Sequence, residues 1–283
     1  VVYTFSGFIT AHHFNFAIIA SRAWTPFILY YYLKFFNTNF NFKFIIFAGF
    51  AVALQLLAGH PQPIFTTFIF LSVFSALRII CEASKKTNLK NSIKFLAIVY
   101  ILGAGLSAFQ LLETLKYSAV TSRAAETSSS EKYSYMVMRS MPLYNILNLV
   151  YPDFAGNIMD NSYFGEEGID EFTIYCGIIT IFLALISIKF LFRQNNYVKI
   201  FTITTLIFLI LGLGGNTPLF RILYYVPGFK TFRAPSRFLL FFILSLSVLA
   251  AFGIDELLKF KSQNQKIKFK ILKFLNIALI IVF

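Results

Sequence analysis

Charge is what this sequence has least of. Only 13% of its 283 residues are Asp, Glu, Lys or Arg, where soluble domains carry about 25%. Meanwhile 58% are hydrophobic, with a mean hydropathy of +0.71. A soluble fold has nowhere to bury that much apolar surface, which leaves an integral membrane protein. Acids are the scarcest charges: 12 Asp and Glu stand against 25 Lys and Arg. Cysteine is nearly missing. Cys81 and Cys176 both lie in apolar runs, near opposite membrane faces in the topology below, which excludes a disulfide framework. The three histidines show no HxH, HxxxH or HExxH spacing, so no metal centre and no cofactor are predicted. A divalent ion between His12, His13 or His60 and loop carboxylates is left without support. The chain starts at "VVYTFSGF" without Met or a signal pattern and stops in "ALIIVF". Both ends read as cut from a longer protein.

What the sequence has in quantity is long apolar runs. A helical span needs about 17–25 such residues. Seven complete ones are expected, at 14–33, 43–59, 63–82, 94–113, 172–192, 198–215 and 238–257. Truncated spans are expected at both ends. The expected fold is all-α: a polytopic bundle forming one transmembrane domain over 1–283, with an external loop over 114–171.

Cations set the orientation. Alternate connections hold 16 Lys and Arg against Glu82, Asp255 and Glu256. The other connections hold 9 cations and 9 acids. The cation-rich set is assigned to the cytoplasm, which places 114–171 and 216–237 outside. The basic balance then reflects topology and anionic lipid, and no nucleic-acid partner is expected. Within the long loop, Ser140 can cap a helix that has Pro142 in its first turn. Leu143, Ile146, Leu147 and Val150 follow at helical spacing, with Asn145 and Asn148 opposite. This predicts an amphipathic helix lying on the membrane surface.

The outer face gathers the chemistry. "PGFKTFRAPSRF" (227–238) interleaves Lys230, Arg233 and Arg237 with aromatics at the mouth of a span. Two arginines four apart can share a helix face, and guanidinium groups bind phosphate bidentately. The cluster holds either the phosphate of a lipid-linked substrate or nothing, its cations simply anchoring the span. "GHPQP" is a tight turn that aims His60 and Gln62 between helices. His60 serves there as an acid–base group or as a turn residue bonded to a carbonyl. His13 precedes a span and Arg22 lies inside it, where a charge is costly and is either paired or functional. Gln110 and Glu113 share one helix face, with Arg123 nearby. Glu113 is a candidate general base or an interfacial residue that ends its helix.

The ordered set "FSGFITAHH", "LLAGHPQPIF", "FQLLETLKYSAVTSR", "YPDFAGN" and "NTPLFRILYYVPGFKTFRAPSRFLL" resembles the YfhO-like family of bacterial multi-pass membrane proteins. The likeness runs from about residue 5 to 257. It implies a GT-C-type glycosyltransferase of the cytoplasmic membrane, moving a sugar from a polyprenyl-phosphate carrier to a cell-envelope acceptor outside. It also implies a catalytic acid in a first external loop that would precede Val1. A transporter for a lipid-linked sugar and a non-catalytic scaffold are the alternatives. Oligomeric state is not legible.

Overall fold

A computed structural model describes residues 1–82, 88–118 and 128–263. Among them the chain is all-helical, without strands. In chain order the first helices are α1 (Gly7–Ala11), α2 (Phe16–Ala23), α3 (Thr25–Asn37), α4 (Lys43–Leu57), α5 (Gln62–Glu82) and α6 (Leu89–Leu106). There follow α7 (Ala108–Ser118), α8 (Ser129–Val137), α9 (Ile169–Phe172), α10 (Ile178–Leu191), α11 (Asn196–Gly212), α12 (Leu219–Leu223) and α13 (Leu239–Gln263).

Three stretches, Gln62–Glu82, Leu89–Leu106 and Pro235–Lys259, are long and apolar enough to cross a membrane. They mark a membrane protein. The full set of seven spans is not reproduced. Helices α4, α10 and α11 are apolar but have 15, 14 and 17 residues. At 1.5 Å per residue they reach about 21–26 Å, short of a hydrocarbon layer of about 30 Å. The run at 14–33 is two helices, broken at Trp24. Pro26 stands in the first turn of α3 and has no N–H with which to continue a helix from α2. The run at 94–113 breaks at Ser107, whose hydroxyl donates to the Gly103 carbonyl at 2.7 Å. The run at 172–192 is helical only from Ile178, after Gly177 at φ +90°.

The chain divides into two compact units, each built from separated segments. The first comprises 1–11, 141–213 and 238–283. Its centre is α13, buried at every residue from Phe238 to Leu246. Helices α10 and α11 pack against it. Gly253 permits the closest approach, since a Cβ there would strike the Leu183 backbone. Met141, Phe172, Ile174, Leu213 and Leu239 form a core joined by Ile146 and Leu149.

The expected amphipathic helix is a seven-residue 3₁₀ segment, Leu143–Leu149. Ser140 does not cap it. The Ser140 hydroxyl donates to the Val137 carbonyl and accepts from the Gly215 N–H, while Pro142 occupies the cap position. Its buried face is the polar one. Asn145 and Asn148 are buried, and Leu143, Leu147 and Val150 are exposed.

The second unit comprises 12–140 and 214–237. Helices α4 and α6 pack closely through Gly49 and Gly103, whose added Cβ atoms would press on Leu102 and Val52. Small residues serve membrane helix interfaces in this way. Tyr32, Phe35, Phe36, Phe74 and Phe95 form an aromatic cluster with ring centroids 4.9–6.1 Å apart. Polar groups also lie in this core. Gln55 donates to the Ser21 carbonyl, Thr25 and Thr67 at 3.0–3.2 Å.

Candidate functional site

The second unit brings two distant motifs together. The turn before α5 is opened by Gly59 at φ +82°, a conformation that favours glycine. It delivers His60 and then Gln62, the first residue of α5. Arg237 stands in a 3₁₀ turn, Pro235–Phe238, that leads into α13. Its Nη1 donates to Gln62 Oε1 at 2.5 Å and lies 3.3 Å from His60 Nε2. A guanidinium can only donate, so a hydrogen bond across this contact would use the Nε2 lone pair of the imidazole. Gln62 is used at both ends, because its amide nitrogen donates to the Arg233 carbonyl at 2.5 Å. Arg237 is 8% exposed and Gln62 5%. Gln62 and His60, two uncharged partners, thus help to orient the guanidinium.

Arg233 and Arg237 do not share a helix face. Phe232 is extended, Ala234 takes φ +60°, and Pro235 follows. A residue before proline is pushed out of the right-handed helical region, so the four-residue spacing carries no helical meaning here. Arg233 instead places Nη1 3.7 Å from Met138 Sδ. Lys230 is exposed in a short 3₁₀ turn. The flanking aromatics, Phe229 and Phe232, each set their rings 5.2 Å from Phe65.

Sequence reasoning missed the strip after α8. The Met138 carbonyl accepts from the Ala234 N–H at 3.0 Å, and Ser140 Oγ accepts from the Gly215 N–H at 2.8 Å. These bonds fix the arginine-bearing segment from the far side. The strip holds Arg139 at φ +58°, beside Ala234 at φ +60°. Left-handed backbone at two non-glycine residues costs about 1 kcal/mol or more each, and such positions cluster at functional sites. No signal in the sequence marks an arginine or an alanine for that conformation.

The other candidates lie elsewhere. Glu113 is exposed on α7 and pairs with Lys116 at 2.8 Å. Gln110 is half-buried one turn earlier, its carbonyl accepting from Thr114 Oγ1 at 2.8 Å. His13 is exposed against the Phe14 ring. Arg22 is fully buried and donates to Thr66 Oγ1 at 2.8 Å, one turn along α5 from Gln62. Arg123 lies outside the described residues.

The described part of this unit carries three carboxylates, and each has a local partner. Glu82 pairs with Arg78, Glu113 with Lys116, and Glu131 closes a capping box with Ser128. The cluster therefore gathers one buried, oriented guanidinium, Arg237, with the half-buried Arg233 and the exposed Lys230. No protein-family model, curated protein or solved structure matches the chain, and the functional case rests on this geometry.

Proposed function

We propose that the chain is a membrane glycosyltransferase of the GT-C type, similar to the YfhO-like family, which transfers a sugar from a polyprenyl-phosphate carrier. The carrying observation is Arg237, a guanidinium buried at the mouth of a span and oriented by Gln62 Oε1, with His60 Nε2 3.3 Å away. In transfer, an acceptor hydroxyl attacks the anomeric carbon and loses its proton to a base. The bond from that carbon to the carrier phosphate breaks, and negative charge grows on the phosphate oxygen. A preorganised guanidinium stabilises that charge most where water is excluded. Arg233 and Lys230 would extend the positive field towards the carrier.

His60 suits a positioning role, since its Nε2 lies 3.3 Å from Arg237 Nη1. Proton acceptance would fall to a carboxylate, with Glu113 the candidate base. The topology that fits has the Lys-rich connections cytoplasmic and the 114–171 and 216–237 segments outside, in a bacterial cytoplasmic membrane. The exposed Leu143, Leu147 and Val150 would rest on the outer leaflet.

The second reading is a transporter for the same lipid-linked sugar. Arg22 favours it, because a fully buried charge among apolar helices is a mark of translocation pathways.

The test is binding of a polyprenyl-phosphate analogue by the full-length protein in nanodiscs, comparing wild type with Arg233→Ala/Arg237→Ala. Loss of at least tenfold with the fold intact is expected. Unchanged binding would overturn the assignment. Release of free polyprenyl phosphate from a sugar-loaded carrier then separates transfer from transport.

A further inference from the structure

The turn between α10 and α11 belongs to the first unit and has no part in the site above. It borders an open surface hollow of about 490 Å³ lined by Lys189, Phe190, Phe192, Arg193, Gln194 and Thr202. That volume lies in the range of small-molecule sites, about 300–1,000 Å³. Lys189 occupies the last turn of α10, and Arg193 and Gln194 form the bend that follows. Both cations are exposed, on stems long enough to fold over a ligand. The lining contains no carboxylate. Thr202 Oγ1 donates to the Val198 carbonyl at 2.7 Å, so towards the hollow it offers lone pairs, suited to a ligand hydroxyl.

The surroundings give the ligand's other half. Leu185 is 58% exposed, one turn before Lys189 on α10. Leu206 and Ile210 are 56% and 44% exposed, at four and eight residues beyond Thr202 on α11. At helical spacing each set lies in line with its hollow-lining residue. Charge at one end and an exposed apolar stripe leading away from it is the pattern of an amphiphile.

We infer that this hollow binds the headgroup of an anionic phospholipid. The phosphate sits between Lys189 and the Arg193 fork, and a headgroup hydroxyl donates to Thr202. The acyl chains run along Leu185, Leu206 and Ile210. Arginine matches phosphate bidentately, and basic pockets between membrane helices hold anionic headgroups. A free phosphate would use the same cations but not the stripe.

The experiment is native mass spectrometry of the full chain in detergent micelles doped with phosphatidylglycerol. Wild type should retain a bound phosphatidylglycerol, and Lys189→Gln/Arg193→Gln should retain it roughly tenfold less. Lys34→Gln/Lys43→Gln, altering cations of the other unit, should match wild type. Thr202→Val should weaken phosphatidylglycerol but leave phosphatidic acid, which has no headgroup hydroxyl beyond its phosphate, unchanged. Equal retention by wild type and the Lys189/Arg193 variant would overturn the proposal. So would displacement of the lipid by inorganic phosphate alone, which would make this a small-anion site.

Discussion

Arg78 and Arg237 are both buried cations of the second unit, set near opposite ends of α5, and the chain treats them differently. Arg78 Nε lies 2.8 Å from each Glu82 carboxylate oxygen, its Nη2 donates to Asn37 at 2.9 Å, and its guanidinium sits over Tyr32 and Phe36. Its charge is met by an opposite charge and two ring faces. Arg237 is oriented by an amide, with an imidazole beside it. A neutralised arginine holds structure. An arginine oriented by neutral acceptors keeps a field that an anion can use.

The contrast breaks first at Arg78. Glu82→Ala leaves a buried guanidinium without its counter-charge and should cost about 3 kcal/mol. Arg78→Leu/Glu82→Leu should return close to wild type, since an apolar pair of similar bulk avoids the desolvation penalty. Thermal unfolding in detergent measures both. A stable single variant would mean that Arg78 is no more committed to structure than Arg237.

Gln62→Leu comes next. It deprives Arg237 of its main acceptor and should cost about 1–2 kcal/mol of stability. Its larger effect should be on the analogue, with affinity falling roughly tenfold, or 1.4 kcal/mol, because the guanidinium is no longer aimed. Arg237→Lys should be milder in stability, within about 1 kcal/mol, and still lose several-fold in affinity, since a point charge replaces a planar fork. Full affinity in the lysine variant would reduce the site to simple charge attraction.

The smallest effect carries the contrast into solvent. Asp160 is an exposed carboxylate held by neutral donors: the Ser162 hydroxyl, then the Ser162 N–H at 3.0 Å, keep it below the usual carboxylate range. A folded value below the unfolded one, near 3.9, gives stability that is present above that pH and lost as pH falls through the folded value. Amide exchange of residues 157–162 should therefore quicken only below about pH 4. Asp160→Asn should remove that dependence.

The sequence made the helical class legible through hydropathy, and it made Arg22 legible as a buried charge. The pairing of "GHPQ" with "FRAPSR" was legible only as a shared outer face, since no local pattern encodes a bond across 175 positions. Three of the seven expected spans are matched by helices of spanning length, because hydropathy does not register a backbone break. Trp24 before Thr25–Pro26, Ser107 and Gly177 interrupt apolar runs without changing their composition. At 143–149 the apolar spacing was sound, but the face assignment to a full α-helix was not. Asn145 and Asn148 turn inward, and Asn148 donates to the Phe172 carbonyl at 3.5 Å. Ala234 and Arg139 were invisible, since their backbone is imposed by tertiary hydrogen bonds.

The interleaving of the two units also bears on synthesis. Each is completed by chain that follows position 213. Gln62 emerges 175 residues before Arg237, roughly ten to thirty-five seconds at ribosomal speed. During that interval the start of α5 waits in the translocation machinery without its partner. A nascent chain stalled before residue 237 would leave the polar turn at His60 without this contact, so that the bond that orients Arg237 also reports that the second unit's last segment has been made.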